Sequence, residues 1–399
     1  MSQQSLIAPA GADEALRAEV ARFNALQDEL GLARAIREND RLATAVAELP
    51  LELGSLRDGG YRFGPDLELA VASLQATWSE LRRQLEAQVR SQTETLAWRA
   101  SDVRQRLAAG QIADESLDAL EGQARSAATT LESRQRAFAR ELDALTARVD
   151  DVAWMLAQGA QACFSLESGE SFVEAVPANW KKQGDPDGVE GVLFLTDRRL
   201  IFEQREEVVT RRLLFIPTRK EKRQALQWAI PLGQLEGVSG SRRGLLGKDD
   251  YLTIGHQGGT PFSTTDIHLR GETGEDWQGH IARAQRGEIP TESGLWGTVA
   301  PIWLRTRTGT LAVKLHGSWE ARRIDGLALP DATGQVQTIL TSVSTDVLGA
   351  LRVEGLPDLQ RQRPSIEASL HEQARDRVHA LGLDLLVVHV AGLQEAPAH

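Results

Sequence analysis

His256, His268 and His280 stand twelve residues apart, and imidazole is the side chain best suited to hold a transition metal or move a proton near neutral pH. That spacing matches no metal-ligand rule, and the sequence neighbours of these histidines bring no convergent carboxylates. Each is expected on a strand, a turn or a helix surface, and no metal is expected. For nucleophilic chemistry, Gly-x-Ser-x-Gly is missing: Gly237-Val-Ser-Gly240 lacks its spacing and reads as an ordinary turn. No Gly-x-x-x-x-Gly-Lys-Ser/Thr loop is present to cradle a phosphate chain. Cys163, the single cysteine, lies beside Phe164 at a helix-to-strand junction, where a buried, small apolar role is expected rather than a nucleophile. No acid, base and nucleophile set converges. The chain is therefore expected not to be an enzyme, and to need no cofactor or small-molecule substrate.

Recognition falls instead to cations. The stretch Gly191-Val-Leu-Phe-Leu-Thr-Asp-Arg-Arg-Leu-Ile-Phe-Glu203 sets two apolar runs around two adjacent arginines. Its alternation fits two strands joined by a tight turn over Thr196–Arg199, with Asp197 serving turn amides. Arg198 opens a basic stretch continued by Arg205, Arg211, Arg212, Arg219, Lys220, Lys222 and Arg223, interrupted by the apolar run Leu213-Leu-Phe-Ile-Pro217. Arg242, Arg243 and Lys248 flank a second apolar tip, Gly244-Leu-Leu-Gly247. Cations beside exposed apolar residues suit an anionic membrane surface, where each contributes about 1 kcal/mol. The alternative is a solvated face on which Glu203, Glu206, Glu207 and Glu221 neutralise them, since surface pairs are common. Arg199 is expected to serve the hairpin itself, packing its stem and meeting a carboxylate.

The whole chain, 399 residues with a formal net charge of -11, is long enough for several cores and argues against general nucleic-acid binding. One cysteine allows no internal disulfide, which fits a reducing compartment. Met-Ser-Gln-Gln-Ser offers no basic lead into an apolar core, so no signal peptide is expected. The strongest apolar run, Leu383 to Val390, is interrupted by Asp384 and His389 and is too short to span a bilayer. A cytoplasmic location follows as an expectation, at most peripheral at the inner face of a membrane.

Behind these residues, periodicity assigns the elements that must position them. Residues 1–12 read as a loose tail, and Asp13 to about Leu49 as helix ending before Pro50, with a loop over Leu51–Pro65. Leu67, Val71, Leu74, Trp78, Leu81, Leu85 and Val89 form a heptad-type stripe. After a break near Ala108–Gly110 a second stripe runs from Leu117 through Leu131 and Leu145 to Leu156. An antiparallel hairpin follows, with the first helix alongside, and its seam can recruit protein partners or support self-association. From Phe164 to about Ile289 seven short strands are expected: Phe172–Val176, Val192–Leu195, Leu200–Phe202, Arg212–Ile216, Gln227–Pro231, Tyr251–Ile254 and Asp266–Leu269. A helix over Gly274–Arg286 follows them. A further unit begins near Val299: Trp303–Thr306 and Thr310–Ile324 read as a strand and a long hairpin, Gln335–Glu354 and Pro364–Leu381 as helices, Leu383–Val390 as a strand. Trp180, Trp277 and Trp319 are expected core or edge anchors.

The run Gly191–Phe202 resembles the GRAM and pleckstrin-homology-like signature, roughly Gly-x-Leu-x-Leu-Thr-x-x-Arg-Leu-x-Phe. In order around it stand Gly169-Glu170, Val176–Trp180, Ile230-Pro231-Leu232 and Glu275-Asp276-Trp277. The resemblance implies a seven-stranded bent barrel capped by a helix, and binding to acidic lipid headgroups or proteins rather than catalysis. Leu311–Gly326, with Trp319 and Arg323-Ile-Asp325, resembles the strand pair of the stomatin–prohibitin–flotillin (band 7) superfamily, and Leu381-Gly-Leu-Asp-Leu-Leu-Val-Val-His-Val390 its closing strand. No apolar anchoring segment precedes that region and no long coiled coil follows it, so only scaffold-forming character carries over. The expected architecture is multidomain α+β: a helical hairpin or coiled coil over 13–160, a GRAM/pleckstrin-homology-like domain over 161–290, a band 7-like α+β domain over 299–393, and a tail over 394–399. The expected role is a bacterial-type, non-enzymatic scaffold or adaptor meeting anionic lipid headgroups or a membrane-stress assembly. The alternative is a protein-interaction and oligomerisation module without lipid.

Overall fold

The computed structural model describes residues 6–9, 13–181, 188–213, 216–243, 249–257, 262–307, 309–324 and 332–396, with side chains for all of these except 207–222. The chain divides into two compact units, Met1–Gly54 with Ala70–Val149, and Ser55–Leu69 with Asp150–His399.

The first unit is helical. Asp13 caps α1 (Glu14–Ala25), its Oδ1 accepting from the Leu16 amide at 2.8 Å. A short α2 (Gln27–Leu30) leads to α3 (Ala33–Asp58), and the two long helices α4 (Asp66–Ala108) and α5 (Asp114–Ala160) follow. The apolar stripes are buried as their period demands: Leu74, Trp78 and Leu85 of α4, and Leu117, Leu131, Phe138 and Leu145 of α5. Trp78 and Phe138 join the two helices, with ring centroids 5.0 Å apart. Gln135, almost fully buried on α5, donates through Nε2 to the Ala35 carbonyl at 2.7 Å and to Asn39 Oδ1 at 2.8 Å, which fixes α3 in register beside it. The expected stop before Pro50 is not observed, because α3 runs through it to Asp58. Proline within a helix costs about 3 kcal/mol. Here Leu49, Leu53 and Leu56 continue the buried stripe past it and offset that cost.

The second unit holds two sheets. In the larger, β1 (Phe172–Lys181), β2 (Val189–Thr196), β3 (Arg199–Leu213), β4 (Ile216–Pro231), β5 (Leu235–Arg243), β6 (Asp249–His256) and β7 (Thr264–Leu269) run antiparallel in the order β4-β3-β2-β1-β7-β6-β5. Helix α6 (Gly274–Gln285) starts at Thr273, whose side chain accepts from the Asp276 amide, and drives the fully buried Trp277 and Ile281 into the sheet core. Seven strands were expected, but two assignments differ. Of the strand expected over Arg212–Ile216, Arg212 and Leu213 end β3 and Ile216 begins β4, with Leu213 paired to Ile216; residues 214 and 215 lie outside the described residues. Gly237–Gly240 belongs to strand β5 rather than to a turn. A register shift between Glu236 and Ser239 absorbs Gly237, whose φ is +66°. At Gly240 a Cβ would collide with the backbone of Gly274, so glycine lets α6 begin against the strand.

The smaller sheet comprises β8 (Glu292–Gly297), β9 (Ile302–Thr306), β10 (Gly309–Arg323) and β11 (Leu383–Glu395), in the order β11-β10-β8 with β9 also on β10. Against it pack α7 (Ala332–Ala350), α8 (Leu356–Arg361) and α9 (Arg363–His379), burying Trp319, Leu340, Leu370 and Val390 in one core. The expected hairpin over Thr310–Ile324 is a single strand. Its first five residues pair with β9 and its far part with β8, which lies ahead of the boundary expected near Val299. The tail expected from Gln394 is strand as far as Glu395. Trp180, Trp277 and Trp319 are all buried.

Candidate functional site

The two arginines of the β2–β3 hairpin divide their roles. Thr196, wholly buried, accepts from the amides of Arg198 and Arg199 at 3.1 and 2.7 Å and donates to Glu170 Oε1 at 2.7 Å. Asp197 Oδ1 accepts from the Ser171 amide at 2.9 Å, as expected of a turn carboxylate. Arg199 turns inward and forks onto Glu170, Nε to Oε1 at 2.9 Å and Nη2 to Oε2 at 2.6 Å. Burial alone would raise the Glu170 carboxyl; the hydrogen bonds from Arg199, Thr196 and the Glu167 amide outweigh it and hold it below the usual carboxylate range. Arg199 thus locks the hairpin. Arg198 points outward, its side chain 42% exposed.

Arg198 stands at a cavity of about 760 Å³, a size that accommodates a small ligand. Three separated stretches line it: Arg57, Arg62 and Glu68 ahead of and within the start of α4; Asp197 and Arg198 at the hairpin; Glu292, Arg322 and Arg323 from β8 and β10. Five arginines and three carboxylates line it, and two carboxylates outside the lining, Asp384 and Glu167, face Arg322 and Arg198. Their commitments differ. Arg57 is spent on structure: it grips Glu68 at 2.6 Å and donates to the carbonyls of Tyr61, Phe63 and Gly64. Arg62 Nη2 donates to the Gly169 carbonyl at 2.7 Å and lies 3.7 Å from Asp197. Arg322 meets Asp384 at 3.1 Å, and Arg323 meets Glu292 at 2.8 Å through Nε. Arg198 has only Glu167, at 3.8 Å, beyond hydrogen-bond reach. The least committed guanidinium is the one at the hairpin tip.

The other cations expected to bind lie elsewhere. Arg205 folds onto the buried Glu203 at 2.7 Å and onto the Gln158 carbonyl at 2.8 Å, over the Phe194 ring. Arg223 is exposed and stands across the ladder from Glu206. Arg242 lies 3.5 Å from Asp250; Arg243 grips Asp266 at 2.6 Å and covers the Tyr251 ring. Hydrogen bonds from Arg243, against the effect of burial, hold Asp266 below the usual carboxylate range. On the β3–β4 ribbon the backbone register sets Arg211 opposite Arg219, Arg212 opposite Pro217, Lys220 opposite Val209 and Lys222 opposite Glu207. Their side chains fall outside the described residues, as do the Gly244–Gly247 tip and Lys248. Strand order puts the ribbon and the Arg242–Arg243 pair at opposite ends of the sheet path.

Two local expectations are overturned. Cys163 is exposed rather than buried, because the chain leaves α5 there toward the sheet surface. Partial burial of its sulfur, then the hydrogen bond to Glu203, push the thiol up, which keeps it a poor nucleophile. His280 does meet convergent carboxylates, Glu174 from β1 and Glu272 from the β7–α6 connection, and these three residues could hold a metal ion. Tertiary packing brings them together across 106 residues, so spacing could not disclose them. His268 stacks on Tyr251, and His256 is buried at the end of β6.

No family model matches the sequence, and no curated protein matches it. Among solved structures, the chain is similar to the Vps36 N-terminal PH domain, with 16% identity over 31% of this chain and 84% of that one, and a TM-score of 0.22. It is also similar to the DH/PH domains of PDZ-RhoGEF, solved in complex with activated RhoA, with 11% identity over 70% and 96% of the two chains and a TM-score of 0.24. The DH/PH domains of p115-RhoGEF give 14% identity over 68% and 85%, with a TM-score of 0.18. Pleckstrin-homology domains recur among these neighbours. The strand order and the closing helix α6, rather than those low scores, carry the description of the larger sheet as PH-like.

Proposed function

We propose that this protein is a non-enzymatic scaffold or adaptor that docks peripherally on an anionic membrane surface, with the arginine-lined cavity as its recognition point. One observation carries the reading: Arg198, half-exposed and with Glu167 no nearer than 3.8 Å, opens onto a cavity lined by five arginines. Guanidinium forks suit phosphate and carboxylate oxygens, and the long 3.8 Å contact to Glu167 leaves the Arg198 donors open to an anion. The β2–β3 hairpin and the ends of β8 and β10 bring three of these arginines to the cavity. Among the described residues no helix is long and apolar enough to cross a membrane, which suits peripheral docking. The reading assigns no acid, base or nucleophile.

Flotation with vesicles tests it. Recovery should rise steeply when phosphatidylserine is added to phosphatidylcholine, and equal recovery on neutral and anionic vesicles would remove the lipid component. A second reading, assembly through the helical unit, is favoured by Trp98 on α4, which is 74% exposed. Sedimentation of the full chain beside Trp98→Glu decides it: a wild-type oligomer that the substitution dissolves supports assembly, and an unchanged monomer opposes it.

A further inference from the structure

Glu174, Glu272 and His280 come from three different elements, a strand, a connection and a helix, and their ligand atoms all lie within 4.8 Å of one another. Ligand oxygens and nitrogens sit about 2.0–2.2 Å from zinc, so two donors on one ion stand at most about 4.4 Å apart. The observed group needs only small side-chain turns to meet that spacing. His280 Nδ1 already faces Glu174 Oε2.

Two further observations separate this group from an ordinary surface ion pair. First, Glu272 is held from outside: the indole Nε1 of the fully buried Trp277 donates to its Oε2 at 2.5 Å, leaving Oε1 for the cluster. Metal-binding side chains are commonly oriented by such outer partners. Second, the negative charge is concentrated. From α5, Asp151 adds a third carboxylate, near enough to act on Glu272, with Asp150 behind it. The ion-pair partner of Glu174 is His280, itself a member of the group.

From this geometry we infer that Glu174, Glu272 and His280 form a divalent transition-metal site of zinc type that ties α6 to β1. One imidazole with two carboxylates is a borderline ligand set, suited to zinc or manganese and unsuited to magnesium or calcium, which favour all-oxygen shells. Three protein ligands leave a fourth position for water. The bond would fasten the closing helix to the sheet from outside, where Trp277 and Ile281 fasten it from within. This inference is independent of the anion-binding reading.

The test uses the full chain stripped with a chelator, titrated calorimetrically with zinc chloride, then with manganese and magnesium, and followed by thermal melting. Binding of one zinc per chain with a rise in Tm is expected, with magnesium failing to compete. His280→Gln and Glu174→Gln should each weaken zinc by about 100-fold or more, since even outer partners contribute 10–100-fold. Cobalt should give the visible spectrum of a bound imidazole and carboxylate set in the wild type and lose it in His280→Gln. Circular dichroism of each variant verifies the fold, and the exposed His379→Gln serves as a control that leaves zinc affinity unchanged. No zinc binding by the wild type, or undiminished binding by folded His280→Gln, overturns the inference.

Discussion

Arg199 and Arg198 are neighbours in sequence and opposites in environment. The Glu170 carboxylate is wholly covered and Arg199 mostly so, so breaking the pair strands a buried charge. Replacing Arg199 with methionine should cost about 3–5 kcal/mol in denaturant unfolding, and a loss below about 1 kcal/mol would mean Thr196 and the Glu167 amide suffice. The pH dependence has a definite sign. Because Glu170 titrates lower folded than unfolded, its contribution is present above the ordinary glutamate range, about 4.3, and is lost as pH falls through the folded value. In Arg199→Met, burial acts with less opposition, so this acid-side loss should shrink or reverse; an unchanged slope would contradict the assignment. The inward role of Arg199 was readable from the hairpin pattern. The freedom of Arg198 was not, since it depends on which carboxylates the fold brings near.

Elements were legible where one period dominates. The stripes of α4 and α5 are buried at most of the positions their spacing names, with Leu81, Val89, Val152 and Leu156 half-buried. Strands failed where composition and environment part. Arg212-Leu213 reads as the start of a separate strand yet ends β3, whereas Glu292-Ser-Gly-Leu-Trp-Gly297 has two glycines and is a strand because β10 supplies its ladder. Glycine had opposite meanings at two places: Gly110, with φ of +75°, closes α4, but Gly240 keeps room for α6. Gly240→Val should therefore lower Tm by several degrees, by a loss of about 1–3 kcal/mol, and an unchanged melt would contradict the close approach. At Pro50 the helix persists against its residue. Pro50→Ala should stabilise the chain by about 1–3 kcal/mol in the denaturation midpoint; a loss would show that the proline is part of the packing.

At the scale of the molecule, neither candidate site could be read along the chain. The cavity collects residues near positions 60, 198 and 322, and the metal-capable group joins Glu174 to His280. What the sequence did disclose was each wall separately, the arginine-bearing hairpin and the Arg323-Ile324 strand end, and the fold sets them around one space. The net charge of -11 makes the local arginines the deciding groups, since the long-range field repels an anionic surface. Binding should accordingly weaken steeply with salt. The most direct measurement is the partition of the full chain onto phosphatidylserine vesicles, wild type against Arg198→Glu. Reversing one charge removes two units at about 1 kcal/mol each, so partition should fall by about 30-fold. Equal partition of the two proteins would contradict the cavity as the recognition point.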